Sequence, residues 1–385
     1  MSQISSYIVK YAELDPEVRR YGLLFLGSIG IGKSTTVYDA ARRIAEKRGK
    51  TFVSFSLRWD PVSRNFVVNG GSVKDVLSDP SKYYILVEFR LSNIEPSDLT
   101  GVPRSHDGIT YYDPLLWAAL LSCTEGMLFL DELTWVQRDD VWSIIPQLVL
   151  DKIAGFVKLS PNTVVVAAGN RPEDGSIVRL IFNPLLNRFK ILNVEPPTLE
   201  DWSEWMDKMY GEKWDKRVLA FLMAFRNEGY FLMVPKTGEG LEQFPTPRSW
   251  TALALDLYNG LDSIEDIIGL VGSEVGRKFK AFLDLRVDFN DLLENPSKFS
   301  SLSLDTKYVV CLMLANWLSN KRNPIEKSFP LIDAMAAESR EYIVFTGMCL
   351  NYNRRVEFYS KLFAYRREYG EALMNIRKAK QEIVG

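Results

Sequence analysis

The string GSIGIGKS at residues 27–34 constrains this chain more than any other feature. It fits the pattern G-x-x-x-x-G-K-[ST] with no substitution. Each residue type has a physical reason to be there. Gly27, Gly30 and Gly32 let the backbone wrap tightly enough to aim successive N–H groups at phosphate oxygens. Lys33 supplies a compact positive charge for the terminal phosphates, and the Ser34 hydroxyl suits a Mg²⁺ ligand. Ser28, Ile29, Ile31 and Thr35 complete the expected phosphate-contacting loop. The flanks agree with the motif. Residues 21–26 (YGLLFL) read as a buried strand, and 33–48 carry Val37, Ala41, Ile44 and Ala45 at helical spacing. A strand, a glycine-rich loop and a helix N-terminus in succession form an anion site, because the helix end itself attracts negative charge. A chance glycine turn before a helix would not bring the lysine and serine in register.

A phosphate loop implies nucleotide binding, and hydrolysis needs a second half. Residues 127–132 (MLFLDE) read as a buried strand that delivers two carboxylates at its C-terminal end. Open α/β sheets bind ligands at that end. Asp131 is the expected metal partner and Glu132 the expected general base that polarises water. A third strand, 163–168 (TVVVAA), ends in Gly169-Asn170, and an amide there can orient water against a γ-phosphate. Arg188 follows the apolar segment NPLLNRF. Arg248 is expected in the first turn of a helix opened by Thr246 as N-cap and Pro247 at the first helical position. Taken singly, Asn170, Arg188 and Arg248 are more often surface or capping residues; their order along the chain is what gives them weight.

That order resembles the AAA+ ATPases: phosphate loop, Asp-Glu strand, sensor-one Asn, finger Arg and sensor-two Arg in a helical lid. Within them the chain is most similar to the MoxR-like group of the helix-2-insert clade. The segments that carry the resemblance are EPSDLTG (95–101), MLFLDEL (127–133), VVVAAGNRPED (164–174), NPLLNRF (183–189) and TPRSW (246–250), across roughly residues 21–260. Two departures are visible. Ile29 stands where the family's loop commonly has proline, and AAGNRP stands where ATQNP is usual. The resemblance implies a ring, usually a hexamer, that hydrolyses ATP with Mg²⁺ between subunits and remodels a protein partner. Arg188 would then act in trans, and the partner would often carry a von Willebrand A domain. The same clade contains nucleic-acid motors, which is the alternative function.

The expected fold is α/β: a P-loop AAA+ core with a parallel sheet flanked by helices, then an α-helical lid and an extra C-terminal helical region. We place the core at 1–195, the lid at 196–289 and the extra region at 290–385. Within the core, 51–82 reads as a hairpin insertion at the sheet edge and 101–112 (GVPRSHDGITYY) as the helix-2 insert, hairpin-like around Asp107-Gly108. A second short hairpin is expected at 155–161. Trp202, Trp205 and Met206 fall on one helical face and read as lid core.

Composition narrows the partners. The chain has 385 residues with 46% hydrophobic and 25% charged side chains, and its formal net charge is −2. No global field therefore advertises nucleic acid or an acidic membrane. The N-terminal twenty residues lack a signal-peptide core, and no run of about 18 uncharged apolar residues appears. A cytoplasmic location is expected. Cys123, Cys311 and Cys349 are widely spaced and read as reduced buried thiols, and His106 is the only histidine. The pairs Arg354-Arg355 and Arg366-Arg367 read as solvated basic helix faces.

Overall fold

A computed structural model describes residues 2–60, 65–69, 73–171, 183–234 and 242–369. The chain divides into two compact units, Met1–Pro196 and Pro197–Gly385.

The first unit is α/β. Its strands are β1 (Gly22–Leu26), β2 (Thr51–Asp60), β3 (Asn65–Asn69), β4 (Tyr83–Arg90), β5 (Val102–His106), β6 (Ile109–Asp113), β7 (Glu125–Asp131), β8 (Ile153–Ala154), β9 (Val157–Lys158), β10 (Val164–Gly169) and β11 (Phe189–Asn193). The main sheet has the order β11-β1-β10-β7-β4-β2-β3. Six of these strands run parallel and only β3, at the edge, runs antiparallel. Apolar runs such as LLF in β1 and MLFL in β7 are wholly buried, as a sheet covered on both faces requires. The order jumps from β1 to β10, so the crevice above β1 is where the chain reverses direction across the sheet, the position at which such sheets bind ligands.

Helices cover both faces. The helix Lys33–Lys47 buries Val37, Ala41, Ile44 and Ala45, the stripe its sequence spacing announced, and Ala40 beside them. The helix Ser2–Ala12 packs against it through Ser5, whose hydroxyl donates to Asp39 at 2.6 Å. On the opposite face, Trp117 and Leu121 from one helix and Val141, Ile145 and Leu148 from another close over Ile85, Leu128 and Val165. The edge pair β2–β3 lies within the 51–82 segment, whose residues 61–64 and 70–72 are outside the described set.

Two small hairpins project from this unit. β5 and β6 pair in full register from Val102–Asp113 to His106–Ile109. Asp107 and Gly108 both hold positive φ (50° and 77°), the two-residue turn that the Asp-Gly pair favours. Arg104 pairs with Asp113 at 2.5 Å, across the hairpin. The second hairpin, β8–β9, runs from Ile153 to Lys158 and turns at Gly155 and Phe156, so it begins two residues before the expected 155–161 segment. Gly155, with φ 57°, starts the turn instead of the strand.

The described part of the second unit is helical. Its core is continuous from Leu199 through Trp250 and Phe299 to Tyr369. Packing therefore joins the expected lid and the expected extra region in one core, and a separate role for 290–385 is a proposal about function. Among the described residues no helix is long and apolar enough to cross a membrane.

Candidate functional site

The site is built at the C-terminal edge of the parallel strands. β1 ends at Leu26, and the loop that follows is anchored on both sides. Gly27 N–H donates to Gly169 O at 3.3 Å, and Val194 N–H donates to Leu26 O at 2.7 Å. A Cβ on Gly27 would stand 2.6 Å from the Val194 carbonyl oxygen, so only glycine fits there. Gly30 (φ 72°) and Gly32 (φ 88°) take the left-handed backbone that wraps the loop, and Gly32 serves as the N-cap of Lys33–Lys47. Ile31 is buried and pins the loop from below, while Ile29 is partly exposed beside it and Thr35 is exposed on the helix.

Three separate chain segments meet over this loop. Lys33 Nζ donates to Gly27 O at 2.6 Å, to Ser28 O at 2.8 Å and to Asn170 Oδ1 at 2.9 Å. Ser34 Oγ donates to Asp131 Oδ2 at 2.7 Å. Lys33 and Asn170 are 137 positions apart, and Ser34 and Asp131 are 97 apart. Parallel pairing of β1 with β10 and of β10 with β7 ends these strands side by side, which is what brings the residues together.

Glu132 is held differently. It has φ 59°, a left-handed conformation that costs a side-chain-bearing residue about 1–2 kcal/mol. Its backbone N–H donates to Asp131 Oδ1 at 2.9 Å, and its Oε2 accepts a hydrogen bond from the Ser92 hydroxyl. Thr134 completes the setting by accepting from Asn170 N–H at 3.0 Å through Oγ1. Ser92 and Thr134 escaped the sequence reading. Each is a small hydroxyl residue in an ordinary context, and only the fold aims it at the carboxylate or the amide.

Two predicted residues stand on other elements. Arg188 precedes β11, and its carbonyl accepts from Gly22 N–H at 3.0 Å, at the start of β1. Its backbone therefore lies at the opposite end of β1 from the loop, about 15 Å away at 3.3 Å per residue. Arg248 belongs to the second unit, exposed in the first turn of the helix Pro247–Tyr258. Thr246 caps that helix, accepting from Ser249 N–H at 3.1 Å, and the Ser249 hydroxyl accepts in return from Thr246 N–H at 2.8 Å.

The donor set suits a nucleoside triphosphate with a divalent cation. A glycine cradle faces a lysine ammonium that donates to two main-chain carbonyls and an amide oxygen, and phosphate oxygens are stronger acceptors for it. The adjoining hydroxyl and carboxylate are the hard oxygen ligands that Mg²⁺ takes.

No protein-family model and no curated protein matches the chain. Among solved structures, it is similar to PCH-2 of C. elegans, with 12% identity and a TM-score of 0.30 over 74% of this chain and 63% of that one. It thus spans less than two thirds of the PCH-2 chain. It is also similar to a proposed ATPase of Cytophaga hutchinsonii, with 14% identity and a TM-score of 0.31 over 69% of this chain and 78% of that one.

Other expectations need correcting. Cys311 is buried, but Cys123 is exposed at the end of its helix. Arg354 is also not solvated. It is 6% exposed, donating from Nε to Leu318 O at 2.6 Å and from Nη2 to Asn323 O at 2.9 Å. Arg355 bonds three main-chain carbonyls (Gly347, Met348 and Leu350) and Asp207. Sequence patterning treats a basic pair on a helix as solvent-facing, and here helix-terminal carbonyls claim it.

Proposed function

We propose that this chain is an AAA+ ATPase of the MoxR-like group, working as a ring that couples ATP hydrolysis to remodelling of a protein partner. The observation that carries the reading is the meeting of Lys33, Ser34, Asp131 and Asn170 at the C-terminal edge of a parallel sheet. In this reading the loop N–H groups hold the phosphates, and Lys33 exchanges its carbonyl and amide partners for the terminal ones. Ser34 and Asp131 would hold Mg²⁺, which when bound neutralises charge on the phosphates. Glu132 accepts the proton of the attacking water once its bond from Ser92 is given up. Asn170 orients that water.

Arg188 serves a neighbouring protomer's site. Its position at the far end of β1 keeps it from its own loop, which favours action in trans. A closed head-to-tail ring, usually six-membered in this family, is the geometry that repeats such a shared site. Arg248 would reach the nucleotide from the helical lid, and a von Willebrand A domain is the partner the resemblance favours. A protein partner suits the chain better than nucleic acid. The net charge is −2, and Arg104 on the projecting hairpin is neutralised by Asp113.

Two measurements test the reading. Arg188→Ala should leave ATP binding nearly intact and cut turnover by about 10³-fold, the scale of a lost arginine finger. Mixing it with Glu132→Gln should restore part of the activity, because some interfaces then pair an intact base with an intact finger. No recovery in confirmed mixed rings defeats the shared site. Stimulation of turnover several-fold by DNA or RNA at near-physiological salt, falling steeply as salt rises, would replace the protein remodeller with a nucleic-acid motor.

A further inference from the structure

The end of β10 is built against the turn that Glu132 opens. Leu133–Trp135 form a short helical turn, with Leu133 and Thr134 buried. A Cβ on Gly169 would stand 2.7 Å from Thr134 Cγ2 and 3.1 Å from Thr134 Oγ1, so the threonine fills the space that a larger residue would need. The next residue, Asn170, donates its backbone N–H to Thr134 Oγ1 at 3.0 Å. On its other side the same peptide unit is held by the phosphate loop, because Gly169 O accepts from Gly27 N–H at 3.3 Å. A trans peptide is planar and points its N–H and C=O in opposite directions. One rigid unit is therefore gripped at both ends, by the loop through Gly27 and by the turn through Thr134.

The turn is tied to the carboxylates as firmly. Glu132 has φ 59°, its N–H donates to Asp131 Oδ1 at 2.9 Å, and its carbonyl accepts from Trp135 N–H at 2.9 Å. Thr134 thus stands two residues from Glu132 in the chain and in direct contact with Asn170. The Asn170 side chain is bound differently from its backbone. Its Oδ1 accepts from Lys33 Nζ at 2.9 Å, a bond that ends when phosphate oxygens draw the lysine away. The amide is then free to turn about its χ angles, while the backbone that carries it keeps both anchors.

We infer that Thr134 is a positioning residue for hydrolysis: its hydroxyl oxygen fastens the Gly169–Asn170 peptide to the turn behind Glu132, which sets the Asn170 amide and the Glu132 carboxylate in one relation to the attacking water. This role rests on the ATPase reading of the site, and adds to it the group that keeps the water-orienting amide and the base in step. Thr134 acts through Asn170 and needs no contact with the nucleotide. Its two contacts are separable by chemistry. Valine keeps the shape against Gly169 and loses the acceptor, whereas serine keeps the acceptor and loses the methyl. An unmatched Asn170 N–H would let the strand end shift, and a shift of an ångström in such a group can cost about 100-fold in rate.

The test is steady-state ATP turnover beside labelled-ATP binding for the full chain, in wild type, Thr134→Val and Thr134→Ser, each with and without Asn170→Ala. Thr134→Val should lower kcat by about 10- to 100-fold while ATP affinity changes by no more than about twofold, and Thr134→Ser should keep at least about half of the turnover. In the Asn170→Ala background Thr134→Val should cause no further fall, since the oxygen acts through that amide. Should Thr134→Val fail to fold, Thr134→Ser against Thr134→Ala differs by the same oxygen and carries the comparison. A wild-type chain that does not turn over ATP defeats the ATPase reading and this role together. Wild-type turnover that Thr134→Val leaves unchanged, that Thr134→Ser loses as fully, or that falls by the same factor with and without Asn170→Ala, overturns the role of Thr134 alone.

Discussion

The two units of this chain spend their polar side chains in opposite ways. In the first, polar groups gather at one edge of the sheet and bond one another: Lys33 to Asn170, Ser34 to Asp131, Ser92 to Glu132. All of these residues are partly exposed, so a ligand can replace each bond at modest cost. In the second, buried polar groups close off the backbone instead. Arg354 and Arg355 hold main-chain carbonyls left open where helices end, and Trp250 Nε1 donates to Tyr230 O at 2.8 Å beneath a cluster of rings. Phe221 sits at the centre of that cluster, 5.1 Å from Phe279, 5.8 Å from Trp250 and 5.9 Å from Tyr230 between ring centroids. Exchangeable polar contacts belong to a reacting site, and saturated ones belong to a scaffold.

Substitutions can break this contrast. The largest effects are expected in the first unit, on chemistry and not on folding. Lys33→Ala should abolish ATP binding, whereas Glu132→Gln should still bind ATP and turn it over at least ~100-fold more slowly. Labelled-nucleotide binding beside steady-state turnover decides the matter, and equal loss of affinity in both variants contradicts separate roles. Melting temperatures of both should stay near wild type. Trp250→Ala should do the reverse. Removing a wholly buried indole is expected to destabilise the second unit by about 3–5 kcal/mol, read from denaturant unfolding. If Trp250→Ala left stability unchanged, the ring cluster would not be the unit's core.

Smaller effects sharpen the contrast. Arg354→Met keeps much of the packing but strands the Leu318 and Asn323 carbonyls, and a loss of about 1–3 kcal/mol is expected. A solvated arginine would give a change within about 0.5 kcal/mol. Ser92→Ala removes the hydroxyl that now occupies Glu132. Turnover should change by several-fold with Tm unaltered, since Ser92 is exposed. A change in melting with no change in turnover would move Ser92 from the site to the scaffold.

Legibility followed the same division. The loop, the Asp-Glu strand and Asn170 were readable because phosphate and metal chemistry permit few residue types at few spacings. Strand identity came with them, since MLFL and VVVA runs between helical segments announce buried parallel strands. The turn of the β5–β6 hairpin was readable from Asp107-Gly108 alone, because few pairs accept two positive φ angles. The pairing of Arg104 was not readable. Asp107 is nearer in sequence, yet antiparallel register sets Asp113 on the opposite strand within reach. Arg354 misled for a related reason, as its acceptors lie 31 and 36 positions away.

By itself the sequence determined that a phosphate-type loop sits between a buried strand and a helix, and that two carboxylates and an amide end two further strands. Local steric rules suffice for that: glycine for the wrapped loop, apolar runs for strands, and a stripe at helical spacing for the covering helix. Only the tertiary structure decided which strands lie side by side, and hence that Ser34 meets Asp131 while Arg188 stands at the other end of β1. It alone decided that Ser92 holds Glu132 and that Arg354 is buried. The physical reason is common to all of them. A side chain's partner is set by strand order and helix packing over tens of residues, and no local preference encodes that distance.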